Sequence, residues 1–72
     1  MSENRLLLRV PEAAEALGIG RSLAYEMVAR GELPVIRLGG GRAVRVPVEA
    51  LRAWVARKQA EAAENAQGSG SR

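Results

Sequence analysis

The sequence contains no cysteine, no histidine and no aspartate. Without cysteine there is no disulfide staple and no thiol nucleophile. Without cysteine or histidine the usual zinc ligands and imidazole bases are also gone. The only acidic side chains are eight glutamates. Most of them fall in helix-like stretches, where a carboxylate ordinarily faces solvent or complements the positive helix end. No apolar run approaches the ~18 residues that a membrane span requires. Leu6, Leu7 and Leu8 form a run too short for a signal-peptide core, and no cleavage pattern follows them. A chain of 72 residues supports one domain, and a domain near this size buries only about 60% of its unfolded surface. An enclosed catalytic site with a supporting shell does not fit such a chain. The expectation is a cytoplasmic protein that is not an enzyme and has no metal, cofactor or small-molecule effector.

What is present is positive charge, unevenly placed. The net charge is +3, yet residues 21–58 carry eight basic side chains against only Glu26, Glu32 and Glu49. The segments before and after are each slightly acidic. A basic middle in a small domain suits a surface that meets phosphates, because each neutralised phosphate releases condensed counterions.

The first helix signal is Val10-Pro11-Glu12-Ala13-Ala14 running to Leu17 and stopping at Gly18. Proline suits the first helical turn, glutamate complements its positive end, and glycine is a natural C-terminal stop. Only Gly18-Ile19-Gly20 separates it from a second helix over about residues 21–30, closed by Gly31. So short a link forces a steep crossing, with Ile19 as the apolar plug between the helices. At 100° per residue Ala24, Met27 and Val28 share a face and should be buried, whereas Ser22, Tyr25, Glu26 and Ala29 share the opposite, exposed one.

Val35-Ile36-Arg37-Leu38 and Ala43-Val44-Arg45-Val46 then alternate in the manner of strands, joined by Gly39-Gly40-Gly41-Arg42. This spells a β-hairpin with a glycine tip. Alternation is expected to put Ile36, Leu38, Val44 and Val46 on the core face and Arg37 and Arg45 together outside, with Arg42 at the tip. A third helix begins near Pro47 or Val48, and Leu51, Trp54 and Val55 should close the core. Residues 1–6 are expected to be a flexible N-terminus, 7–64 the folded domain, and the Gly/Ser-rich 65–72 a disordered tail.

From Leu8 to Val55 the pattern resembles the excisionase-type, MerR-like winged helix-turn-helix family. The matching features are Val10-Pro11-Glu12-Ala13-Ala14 with Leu17 and Ile19, Ala24-Tyr25, Met27-Val28 and Gly31-Glu32-Leu33-Pro34. They continue through Ile36-Arg37-Leu38-Gly39 and Arg45-Val46 to Leu51 and Trp54. The sequence departs from that family at Gly20 and Leu23, where it often carries serine or threonine, and this weakens the expected N-cap of the second helix. The resemblance implies a mainly α fold with a small β-hairpin, a winged helix-turn-helix of order α-α-β-β-α. It further implies duplex DNA as partner, read by Arg21, Ser22, Tyr25, Glu26 and Arg30 on the second helix and gripped by Arg37, Arg42 and Arg45 on the wing. The implied role is a recombination directionality factor that fills adjacent sites cooperatively, self-associates on the DNA, bends it and steers a site-specific integrase towards excision. A small transcriptional regulator of the same fold is the alternative, followed by a protein-interaction module with a basic surface. No heptad seam follows Val55, which disfavours an effector-sensing regulator built on a long dimer helix.

Overall fold

The computed structural model describes the chain from residue 5 to residue 69, with side chains to residue 64. Its elements run β1 (Leu7–Arg9), α1 (Val10–Leu17), α2 (Arg21–Ala29), β2 (Ile36–Leu38), β3 (Ala43–Pro47) and α3 (Val48–Ser69). The two helices, the hairpin and the closing helix stand where the alternation and the stop signals put them. Two ends differ. Arg5 and Leu6, expected to be flexible, are held: Arg5 pairs with Glu12, and the Leu6 carbonyl accepts the Val48 N–H at 2.9 Å. Helix α3 runs to Ser69, well into the expected tail. Residues 1–4 and 70–72 lie outside the described residues.

The helix ends follow local chemistry. The Glu12 carboxylate accepts the Arg9 N–H at 2.9 Å, which satisfies a backbone donor at the start of α1. At its other end Gly18 adopts φ 74°, a left-handed conformation that costs a residue with a Cβ about 1–2 kcal/mol. There the Gly18 N–H donates to the Glu15 carbonyl at 3.1 Å and the Ile19 N–H to Ala14 at 3.0 Å. This double closure redirects the chain within two residues. Helix α2 ends the same way, with Gly31 donating to Val28 at 3.0 Å and Glu32 to Met27 at 2.8 Å. At the start of α2, Gly20 is extended and offers no side-chain cap, as its identity led us to expect.

The hairpin belongs to a three-stranded antiparallel sheet of order β1-β3-β2. Strand β1 was not anticipated, because three leucines followed by Arg9 give no period-2 alternation. It exists because β3 pairs with it, Leu8 opposite Val46 and Arg9 opposite Arg45. In β2 and β3, Ile36 faces Arg45, Arg37 faces Val44 and Leu38 faces Ala43. Directly opposed residues point to the same side of a sheet, and this overturns the expected arrangement. Ile36, Leu38, Ala43 and Arg45 share one face, while Arg37, Val44 and Val46 share the other. A tip of four residues makes paired positions differ in parity, so Ile36 and Val44 cannot point the same way.

Burial agrees with the register. Val46 is fully buried and Leu8 nearly so, whereas Ile36 and Leu38 are 38% and 44% exposed. Leu8, Ala13, Leu33, Val46 and Leu51 form the main core, with Leu17, Met27, Val35, Val48 and Trp54 packed around it. A second cluster of Val10, Ala14 and Ala24 locks α1 to α2, with Ile19, Val28 and Val44 against it. Ile19 is thus the plug between the helices, and Val28 joins both clusters. Val55, expected in the core, is 39% exposed, since it lines an open groove between α1 and α3. Trp54 stays half-buried on the core, with the Lys58 ammonium 5.7 Å from its ring centroid.

Candidate nucleic-acid interface

Helix α2 is anchored by Ala24, which is completely buried, and by half-buried Met27 and Val28. Its other side is therefore held rigidly towards solvent. Arg21, Ser22, Tyr25, Glu26 and Ala29 are all exposed there, with Tyr25 at 52%. The face read from the 100° periodicity is the face the structure presents. Leu23, on the flank of this face, is also exposed, at 45%. Sequence reasoning treated Leu23 only as a missing hydroxyl, although an apolar side chain on an exposed helix face is itself a contact group.

Two of the charged residues on this helix are not independent. The Arg30 guanidinium lies 2.5 Å from the Glu26 carboxylate and 3.4 Å from that of Glu32. Arg30, itself exposed, thus pairs with carboxylates on both sides. Arg21 has no ion-pair partner among the described residues, so its charge is available at the first turn of α2.

The wing arginines divide. Arg37 stands across from Val44, and Val44 packs on the cluster that includes Ala24 of α2. Arg37 is therefore on the side of the sheet that carries the helices, and its side chain is exposed. Arg42 projects from a tip whose three glycines all have positive φ, between 61° and 96°. Arg45 occupies the opposite face, half-buried, donating to the Val44 carbonyl at 2.9 Å. Arg37 and Arg45, expected together on one face, thus stand on opposite faces of the sheet, with Arg42 at the tip.

Glu12 sits outside this surface. The Arg9 N–H, and then the Arg5 guanidinium, hold its carboxyl below the ordinary glutamate value. A concavity lies between α1 and α3, lined by Leu8, Leu17, Leu51 and Val55 together with Glu15 and Arg52. It shares no residue with α2 or the hairpin. Among the described residues no group of acidic side chains could hold a metal ion, and no helix is long and apolar enough to cross a membrane.

Two helices joined by a tight turn, the second exposed on one face, followed by a basic hairpin, define the winged helix-turn-helix class. Comparison with known proteins agrees: residues 7–59 match the helix-turn-helix domain family. The chain is 46% identical over 54 residues to a probable excisionase of Saccharopolyspora erythraea, covering 75% of this chain and 53% of that protein. It is 38% identical over 56 residues to an excisionase of Streptomyces ambofaciens, covering 78% of this chain and 87% of the relative. The chain thus belongs to the excisionase family of helix-turn-helix proteins, a family of DNA-binding proteins and not of enzymes. It spans about half the length of the first of these relatives. No solved structure matches it significantly.

Proposed function

We propose that this protein is a cytoplasmic, nucleoid-associated excisionase that binds duplex DNA at specific neighbouring sites and directs a site-specific integrase towards excision. The observation that carries this reading is the shared side of α2 and Arg37. Val44, opposite Arg37, packs on the cluster that holds Ala24 of α2, so the wing arginine and α2 lie on the same side of the sheet. One duplex can therefore engage both, the helix in the major groove and the wing on the adjoining backbone or minor groove.

In this reading Arg21 pairs with a guanine edge or a phosphate, Ser22 and Tyr25 touch the backbone, and Glu26 accepts from a cytosine amino group. Arg30 holds Glu26 in register. Leu23 supplies an apolar contact suited to a thymine methyl group. Arg37 and Arg42 grip phosphates, positioning the helix without reading sequence themselves. Several copies filling adjacent sites and associating on the DNA would together supply the bending energy, of order 1–6 kcal/mol per site. The MerR-like arrangement is supported by the hairpin that follows α2 and leads directly into α3.

Footprinting on DNA from attachment sites, combined with bending and in vitro excision assays, tests the proposal. Tandem, same-direction sites that fill cooperatively, bend the duplex and stimulate excision are the expected result. A lone palindrome bound without stimulation of an integrase would instead make the protein a transcriptional regulator of the same fold. Absence of duplex binding at low salt would refute the DNA reading altogether.

A further inference from the structure

The outer face of the sheet carries a pattern that DNA binding leaves unexplained. Arg9 and Arg45 are direct cross-strand partners on the two strands. Like charges directly opposite one another destabilise a sheet, and neither arginine has a carboxylate partner among the described residues. Beside them on the same face are Ile36 and Leu38, 38% and 44% exposed. The helices cover the other side, where Val46 is buried. A phosphate backbone would answer the arginines but offers nothing to bury Ile36 and Leu38 against. Arginine beside exposed aliphatic side chains is instead the composition of a protein-binding surface.

We infer that this outer sheet face docks an acidic segment of a partner protein, one that sets carboxylates against Arg9 and Arg45 and apolar side chains against Ile36 and Leu38. The inference goes beyond the DNA reading and does not depend on it. A different protein fits better than a second copy of this chain. Four of the chain's eight acidic residues, Glu12, Glu26, Glu32 and Glu61, are already engaged in ion pairs within the chain. Docking at this face leaves α2, Arg37 and the glycine tip free, so DNA and the partner protein can be held on opposite sides of the same sheet.

The test uses the full chain, labelled with nitrogen-15, titrated with a short capped peptide in which glutamate and leucine alternate. Amide signals of Arg9, Ile36, Leu38 and Arg45 should shift, and those of Ser22 and Tyr25 should not. Leu38→Ser and Arg9→Gln, each confirmed as folded by circular dichroism, should weaken the peptide roughly fivefold. Leu38→Ser should leave duplex affinity unchanged. A peptide with lysine in place of glutamate should not bind. The inference is overturned by no shift with the glutamate peptide, by equal binding of the lysine peptide, or by shifts confined to α2. It is overturned in favour of DNA if duplex titration moves the Arg9 and Leu38 signals. It is overturned in favour of a second copy if dilution of the free protein moves them.

Discussion

The register of the hairpin makes a sharp prediction about two side chains that a simple alternation rule treats alike. Val46 is fully buried on the central strand, whereas Leu38 is 44% exposed on the outer face. Truncating Val46 to alanine removes two buried methyl groups, each worth about 0.8 kcal/mol in transfer. The space left between Leu8 and Leu51 adds a cavity cost, bringing the loss to about 2–3 kcal/mol. In a domain this small each kcal/mol lowers the melting temperature by about 6 °C, so Val46→Ala should melt about 12–18 °C lower. Leu38→Lys places its ammonium in water and should cost under about 1 kcal/mol. Thermal and urea melts followed by circular dichroism give both numbers, with the urea slope unchanged if only the native state is affected. If Leu38→Lys destabilised the domain as much as Val46→Ala, Leu38 would have to point inwards, and the assignment of faces would be refuted.

Three further outcomes follow from the same geometry. Replacing Arg42 with alanine should weaken duplex binding uniformly across sequences and reduce the slope of log affinity against log salt by about one, as read by fluorescence anisotropy over a salt series; an unchanged slope would remove the tip from the interface. Gly18→Ala should destabilise the domain by about 1–2 kcal/mol, because the residue is held at φ 74° where a Cβ is strained; a neutral or stabilising effect in urea melts would contradict that conformation. Glu12 titrates below the ordinary glutamate range in the folded chain because of the Arg9 N–H and the Arg5 guanidinium, so its contribution is present above about pH 4.3 and lost as pH falls through the depressed value. Melting temperature should therefore fall less steeply with acidification in Glu12→Gln than in the parent, and parallel curves would argue that the contacts of Glu12 add nothing.

The helices were legible because their boundaries are chemical. Pro11, Gly18 and Gly31 act locally, and the 100° spacing of Ala24, Met27 and Val28 needs no knowledge of the partner surface. The exposed face of α2 follows from the same arithmetic. Strand β1 was illegible for the opposite reason: Leu7–Arg9 becomes a strand only through β3, a partner distant in sequence. The face error in the hairpin was avoidable, since the length of the tip fixes the parity of every pair once the strand ends are known. The ion pairs of Arg30 were not legible, because residue type announces a charge but not its neighbours, and Glu26 and Glu32 both lie within its reach. Val55 kept the helical spacing of a core residue but lines a groove that α1 and α3 leave open.

The pairing of Leu8 with Val46 has a consequence for how the chain reaches its native state. Each helix and the hairpin can form from neighbouring residues, but the central strand acquires its second partner only when the beginning of the chain returns across nearly the whole domain. Contacts between distant residues carry the loop-closure cost and tend to form late. The sheet is therefore expected to close after the pieces it joins have formed. During synthesis the first strand emerges early and waits for its partner, while α2 can already lock onto α1 through Val10, Ala14 and Ala24.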